Sequence, residues 1–228
     1  MSLLSSLPQV ITAIGGLGTA AFGLVDATKV FKGGVNRFGF ARIEAAVKTL
    51  TPGVPASGLS QERILATLRA NWYNGKHLED QKSIAKSLIK VSLSAVNASA
   101  VAKATGQDAA ILSEVASNIT TGTPLSQAQS DVYARFDFVV TALLDEVYQD
   151  ADQSFTNGAR TVAAIFALLL AVAGGWTLVG GSFVTYVKSM PMLQALAVGL
   201  LAIPLAPIAK NLSSALVAAV NTMQVLKK

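Results

Sequence analysis

His77 is the chain's only histidine, set in the run NGKHLED just before Glu79 and Asp80. One imidazole with two carboxylates could begin a metal site, but a transition-metal cage needs three or four converging ligands. The NG pair at 74–75 marks this stretch as a turn, so His77 reads as a solvated loop residue. Asp145, Glu146, Asp150 and Asp152 carry charge that would suit a divalent cation. The glycine and terminal glutamate of a calcium loop are missing, and the spacing reads these residues as the wet face of a long helix. The chain has no cysteine, which excludes disulfides, thiolate nucleophiles and zinc–thiolate sites. No serine, histidine and carboxylate constellation marks a catalytic centre. The expectation is therefore not an enzyme: no catalytic residue, no cofactor and no metal.

Gly16, Gly18 and Ala21 follow VITAI as G-x-G-x-x-A, a variant of the dinucleotide-binding fingerprint. The acidic residue expected about 20 positions later is absent, and no alternation of strand and helix follows. Small residues also recur every four positions, as Gly15, Thr19 and Gly23 and as Gly16 and Ala20. That spacing lets helices approach closely in a membrane, which is the reading adopted. Ala163, Ala167, Ala171 and Gly175 repeat the pattern. Asn97-Ala98-Ser99, Asn118-Ile119-Thr120 and Asn211-Leu212-Ser213 match glycosylation sequons; a cytoplasmic location would leave them silent.

The elements that hold these residues follow from how charge is distributed. The 228 residues are 52% hydrophobic and only 14% charged, against about 25% charged in soluble domains. All 13 acidic residues lie between Asp26 and Asp152, and after Arg160 the only charges are Lys188, Lys210, Lys227 and Lys228. The net charge of +5 does not point to nucleic acid, because Lys29, Lys32, Arg37, Arg42 and Lys48 flank an apolar run and read as membrane-surface residues. Residues 1–28 form the first transmembrane helix, centred on ITAIGGLGTAAFGLV. The basic residues follow this run instead of preceding it, so it reads as a retained helix and not a cleaved leader.

Residues 29–60 are a basic juxtamembrane segment interrupted by Gly33, Gly34, Gly39, Pro52, Gly53, Pro55 and Gly58. Within it, Phe40, Ile43, Val47 and Leu50 share one helical face. That face fits either the inner membrane surface or the core of the domain that follows. Residues 61–158 read as a helical soluble insert. Ile64, Leu65, Leu68 and Trp72 line a first helix. A second runs from about Glu79 to Gly106 with Ile84, Leu88, Val91, Ala95 and Ala98 inward. A third carries Ile111, Leu112, Val115 and Ile119. TTGTP then breaks the chain, with Thr123 as N-cap and Pro124 as first helical residue. A long helix follows, burying Phe136, Val140, Leu143, Val147 and Ala151. Residues 159–228 hold two more transmembrane helices, Ala163 to about Val187 and Met192 to Ala209, then an amphipathic tail from Lys210. Tyr186 suits an interface anchor.

The fold class expected is thus all-α: an integral membrane protein with about three transmembrane helices, a small helical soluble bundle and a C-terminal amphipathic helix. The positive-inside bias places the N-terminus outside and the insert and C-terminus in the cytoplasm, with Lys188 in a short outer loop. The whole plan, ending GLLAIPLAPIAKNLSSAL, is similar to uncharacterised bacterial three-span membrane proteins with a helical cytoplasmic insert. That resemblance implies a bacterial membrane location and brings no function with it. Two function classes fit. One is a structural or accessory subunit of an oligomeric assembly, with the lipid bilayer, its own copies and a cytoplasmic protein as partners. The other is a pore-forming or transport protein lined by the span containing Pro204 and Pro207.

Overall fold

A computed structural model describes the backbone of residues 3–53 and 59–226, and the side chains within residues 10–53 and 59–208. Every regular element among these residues is helical, and three helices are long and apolar enough to cross a membrane. The chain divides into two compact units, Asn36–Phe155 and a second formed by Met1–Val35 with Thr156–Lys228.

In the first unit, α2 (Asn36–Leu50), α3 (Gln61–Tyr73), α4 (Leu78–Ser92), α5 (Ala98–Thr105), α6 (Ala109–Thr121) and the N-terminal part of α7 (Gln127–Val179) enclose one core. Phe40, Ile43, Val47 and Leu50 are buried in that core. The apolar face of α2 is therefore covered by protein, which decides between the two readings its sequence allowed. Gly39 does not break the chain. It lies inside α2 because a Cβ there would collide with the indole of Trp72 and come 2.7 Å from the Ala151 carbonyl. Trp72 packs edge-on against Tyr148 and Phe155, and its Nε1–H donates to the Asn36 carbonyl at 2.9 Å.

The helix expected from Glu79 to Gly106 is two helices. Leu93 turns extended, and Asn97 stitches the gap: its Oδ1 accepts from Ser94 N–H at 2.8 Å while its Nδ2 donates to the Ser92 carbonyl at 2.8 Å. Short polar side chains that bond nearby backbone compete with helix in this way. Asn97 is buried by the arrangement, so its sequon is closed off in the folded chain. The inward line of α4 is Gln81, Ala85 and Ile89, with Ile84 and Leu88 half-buried and Val91 exposed. The start of α7 also differs from expectation. Thr123 and Pro124 lie outside it, and Ser126 forms a reciprocal cap with Gln129: Gln129 N–H donates to Ser126 Oγ at 3.3 Å, and Ser126 N–H donates to Gln129 Oε1 at 2.9 Å. This is the S-x-x-Q capping box. Further along α7, Leu144 and Tyr148 fill the core more deeply than Leu143 and Val147.

The second unit contains α1 (Leu3–Ala27), the C-terminal part of α7, the short α8 (Phe183–Val187) and α9 (Met190–Leu226). The second apolar run does not continue as helix to Val187. It ends at Val179, because Gly180 and Gly181 adopt φ of +74° and +81°, a region open to glycine at little cost. Trp176 Nε1–H donates to the Gly181 carbonyl at 3.1 Å and closes the turn. Tyr186 is buried and not at the surface expected of an interface anchor; it packs against Gly175. α9 passes through Pro204 and Pro207 without ending and continues to Leu226. Residues 210–228, read as an amphipathic tail, thus continue this helix as far as Leu226, and their side chains lie outside the described residues, as does Asn211 of the third sequon.

Candidate functional site

Two places stand out: the helix contacts of the second unit, which hold small residues singled out by spacing, and a charged seam in the first. In the second unit α1 meets α9 through a line of residues about one turn apart. Gly15, Gly18, Ala21 and Val25 are buried, and Ala202 and Ala206 stand opposite. A Cβ on Gly18 would fall on the Ala202 carbonyl. Helices without a hydrophobic drive between them associate by such backbone approach. Of the residues marked for packing on α1, Gly15 is buried one turn before Gly18. Gly16, Thr19, Ala20 and Gly23 face away from the α9 contact and are exposed, with nothing within 4 Å of a Cβ built on Gly16 or Gly23. Thr19 turns its hydroxyl to the Gly15 carbonyl at 3.0 Å. On α7, Ala163, Ala167 and Ala171 are buried, and a Cβ on Gly175 would meet Tyr186 and Ala195. Gly199 of α9 completes the contact, its missing Cβ leaving 2.9 Å to the Cα of Leu168. The α7 residues spaced by four are thus buried or closely approached within this unit. On α1 the real face steps by three and four together, and it contains Gly18 and Ala21, the residues that also gave the dinucleotide-like spacing.

The basic residues separate. Lys29 pairs with Asp26 at 2.6 Å, and Lys32 occupies a left-handed position with φ of +51°. On α2, Arg37 and Arg42 are exposed, while Lys48 pairs with Glu44 at 2.8 Å. Glu44 also lies 3.7 Å from Arg69, whose guanidinium covers the Phe40 ring.

The charged seam joins α4 to α7. Lys82, Lys86 and Lys90 recur every four residues, and Asp137 and Asp145 are two turns apart on the facing helix. Lys82 donates to Asp145 at 2.8 Å, and Lys86 and Lys90 both donate to Asp137, at 2.6 and 2.8 Å. Burial pushes the Asp137 carboxyl up, but the two lysine hydrogen bonds outweigh it and hold it below its ordinary range. Hydrogen bonding to Asp137 raises Lys90, and hydrogen bonding to Asp145 and Glu79 raises Lys82. A groove of about 300 Å³ opens between Lys82, Lys86, Thr141 and Asp145. Its cations already hold carboxylates, so the seam acts as a clamp between helices. Sequence reading missed it, although the matching four- and eight-residue repeats of opposite charge were there to be seen.

His77 is exposed at the head of α4 and makes no capping bond through its side chain. Asp145 belongs to the seam, and Glu146, Asp150 and Asp152 point to solvent. Among the described residues no three His, Cys, Asp or Glu side chains converge as metal ligands. Compared with known proteins, the chain matches no family model, no curated protein and no solved structure.

Proposed function

We propose that the protein is a structural or accessory subunit of an oligomeric membrane assembly, its helical bundle serving as the interaction surface on the cytoplasmic side. The observation that carries this reading is the two-sided nature of α1. One small-residue face is closed tightly on α9, while a second, with Gly16, Ala20 and Gly23, stays open along the same helix. An open face of that kind allows another helix to approach as closely as α9 does. The bundle adds apolar residues directed outward, Val91, Val96 and Phe138, which suit a protein partner.

The mass of the protein extracted in mild detergent, measured by light scattering with the detergent subtracted, tests the assembly. A mass of two or more copies, or of a defined complex, is expected; a monomer throughout would remove the proposal. The rival reading, a pore or transporter, draws on Pro204 and Pro207 in α9. No acidic or basic side chain occurs between Val10 and Val25, between Thr161 and Val179 or between Met190 and Ile208, whereas intramembrane charges usually mark ion paths. The subunit reading is therefore preferred.

A further inference from the structure

Between α1 and α2 the chain makes a tight, hydrogen-bonded turn that points the side chains of Val30 and Phe31 outward. Phe31 N–H donates to the Thr28 carbonyl at 2.9 Å, Gly33 N–H to Lys29 at 3.1 Å and Gly34 N–H to Phe31 at 3.1 Å. The Thr28 hydroxyl donates to the Val25 carbonyl at 2.6 Å. Gly33 and Val35 are buried, and any Cβ on Gly34 would collide with Thr28. The turn is thus built from inside. Yet Val30 is 84% exposed and Phe31 78% exposed, side by side between Lys29 and Lys32. A turn seeking only solubility would not order two large apolar groups outward.

We propose that this turn is an interfacial anchor for anionic phospholipid, with Val30 and Phe31 entering the acyl boundary and the Lys32 ammonium binding headgroup phosphate. The occupant follows from continuity, since Val30 is the last residue of the candidate span Val10–Val30. The anchor therefore lies where a bilayer crossed by α1 would meet water. Charge agrees at Lys32: Lys29 is already paired with Asp26, whereas Lys32 follows the apolar pair, and a cationic side chain beside a span favours anionic headgroups. The left-handed backbone at Lys32, uncommon for a residue with a Cβ, fixes where its side chain leaves the turn. The inference rests on the membrane reading of α1 and adds the class of lipid recognised.

The absence of native cysteine gives a clean test on the full chain in vesicles of phosphatidylcholine with or without phosphatidylglycerol. Nitroxides on Val30→Cys and Phe31→Cys should relax with oxygen and resist aqueous nickel chelate, whereas one on Ser83→Cys should do the reverse. A fluorophore on Val30→Cys should be quenched more by brominated phosphatidylglycerol than by brominated phosphatidylcholine. Lys32→Gln should cut that preference about fivefold, the effect of one lysine at an anionic surface. A nickel-accessible Phe31 label in protein that survives a carbonate wash would overturn the anchor and leave the spans intact. Release by the wash would overturn the membrane reading beneath it. A label shielded from both reagents would assign the turn to a protein partner, and equal quenching by the two lipids would remove the anionic selectivity; either overturns the proposal.

Discussion

Gly18 and Gly16 are two residues apart, yet they answer to different surroundings, and a leucine at each separates them. At Gly18 the added side chain has no room against the Ala202 carbonyl. Gly18→Leu should therefore force α1 from α9 at a cost of about 1–3 kcal/mol, seen as a lower melting temperature in detergent. At Gly16 a Cβ has no neighbour within 4 Å among the described residues. Gly16→Leu should keep the melting temperature of the single chain and lower the mass of the detergent-extracted assembly instead. Equal melting of both variants would mean the α1–α9 contact is not held by close approach. A parallel case in the bundle is Gly39→Ala, whose methyl would strike Trp72. Displacing that ring also strains its 2.9 Å hydrogen bond to Asn36, and a loss of about 1–3 kcal/mol in chemical denaturation is expected. None of this was legible from the glycines themselves. A glycine that breaks a chain and one that admits a neighbour look identical until the neighbour is known.

The α4–α7 seam carries a pH signature whose sign follows from its partners. Asp137 is held below its ordinary range by Lys86 and Lys90, so its contribution is present above about pH 4, the unfolded carboxyl range. That contribution is lost as pH falls through the lower folded value. Lys82 and Lys90 are raised, so theirs is present below about pH 10.5 and lost as pH rises through the folded values. Denaturation of the bundle should thus show a plateau between those limits. Asp137→Asn should lower the plateau by about 1–2 kcal/mol, as expected for charge-assisted bonds that are partly open to water, and flatten the acid limb. An unchanged acid limb in that variant would place the acid sensitivity elsewhere. The helices themselves were largely legible, since Ile64, Leu65, Leu68 and Trp72 repeat at helical spacing and lie buried in α3. The boundaries set by side-chain bonds were less so. Ser94 with Asn97, and Ser126 with Gln129, were overruled in the reading by apolar periodicity and by Pro124. Apolar periodicity does not register Gln81, which is polar yet buried, and so sets the inward face of α4 one residue away from Gln81, Ala85 and Ile89. On α7 the buried line likewise runs through Leu144 and Tyr148 instead of Leu143 and Val147.

Three candidate spans impose alternation on the whole chain. If each crosses the bilayer once, the bundle between the first and second must lie on the opposite side from the loop at 180–189 between the second and third. If the bundle lies inside, as the proposed orientation from positive-inside bias has it, Ser182→Cys should label from outside intact cells and Ser83→Cys only after lysis. Labelling of both from one side would require a span that does not cross. The same inventory decides what the spans can conduct. Their described polar side chains are few, and those of Thr19 and Thr177 donate to carbonyls of their own helices at 3.0 and 2.8 Å. Pro204 and Pro207 leave the carbonyls of Leu200 and Ile203 without their helical amide donors, but the helix carrying them is unbroken, and two carbonyls do not line a continuous polar path. A bare hydrocarbon constriction dewets and stays closed to ions. Purified protein in liposomes should therefore leak no faster than empty vesicles at membrane potentials of either sign. Gln194 is exposed near the start of α9 and is a long polar side chain that could line a pathway between copies. Discrete conductance steps that vanish in Gln194→Leu would place water beside that residue and promote the pore over the subunit. Tight vesicles holding protein of multimeric mass would instead leave the open face of α1 joined to its neighbours without a channel between them.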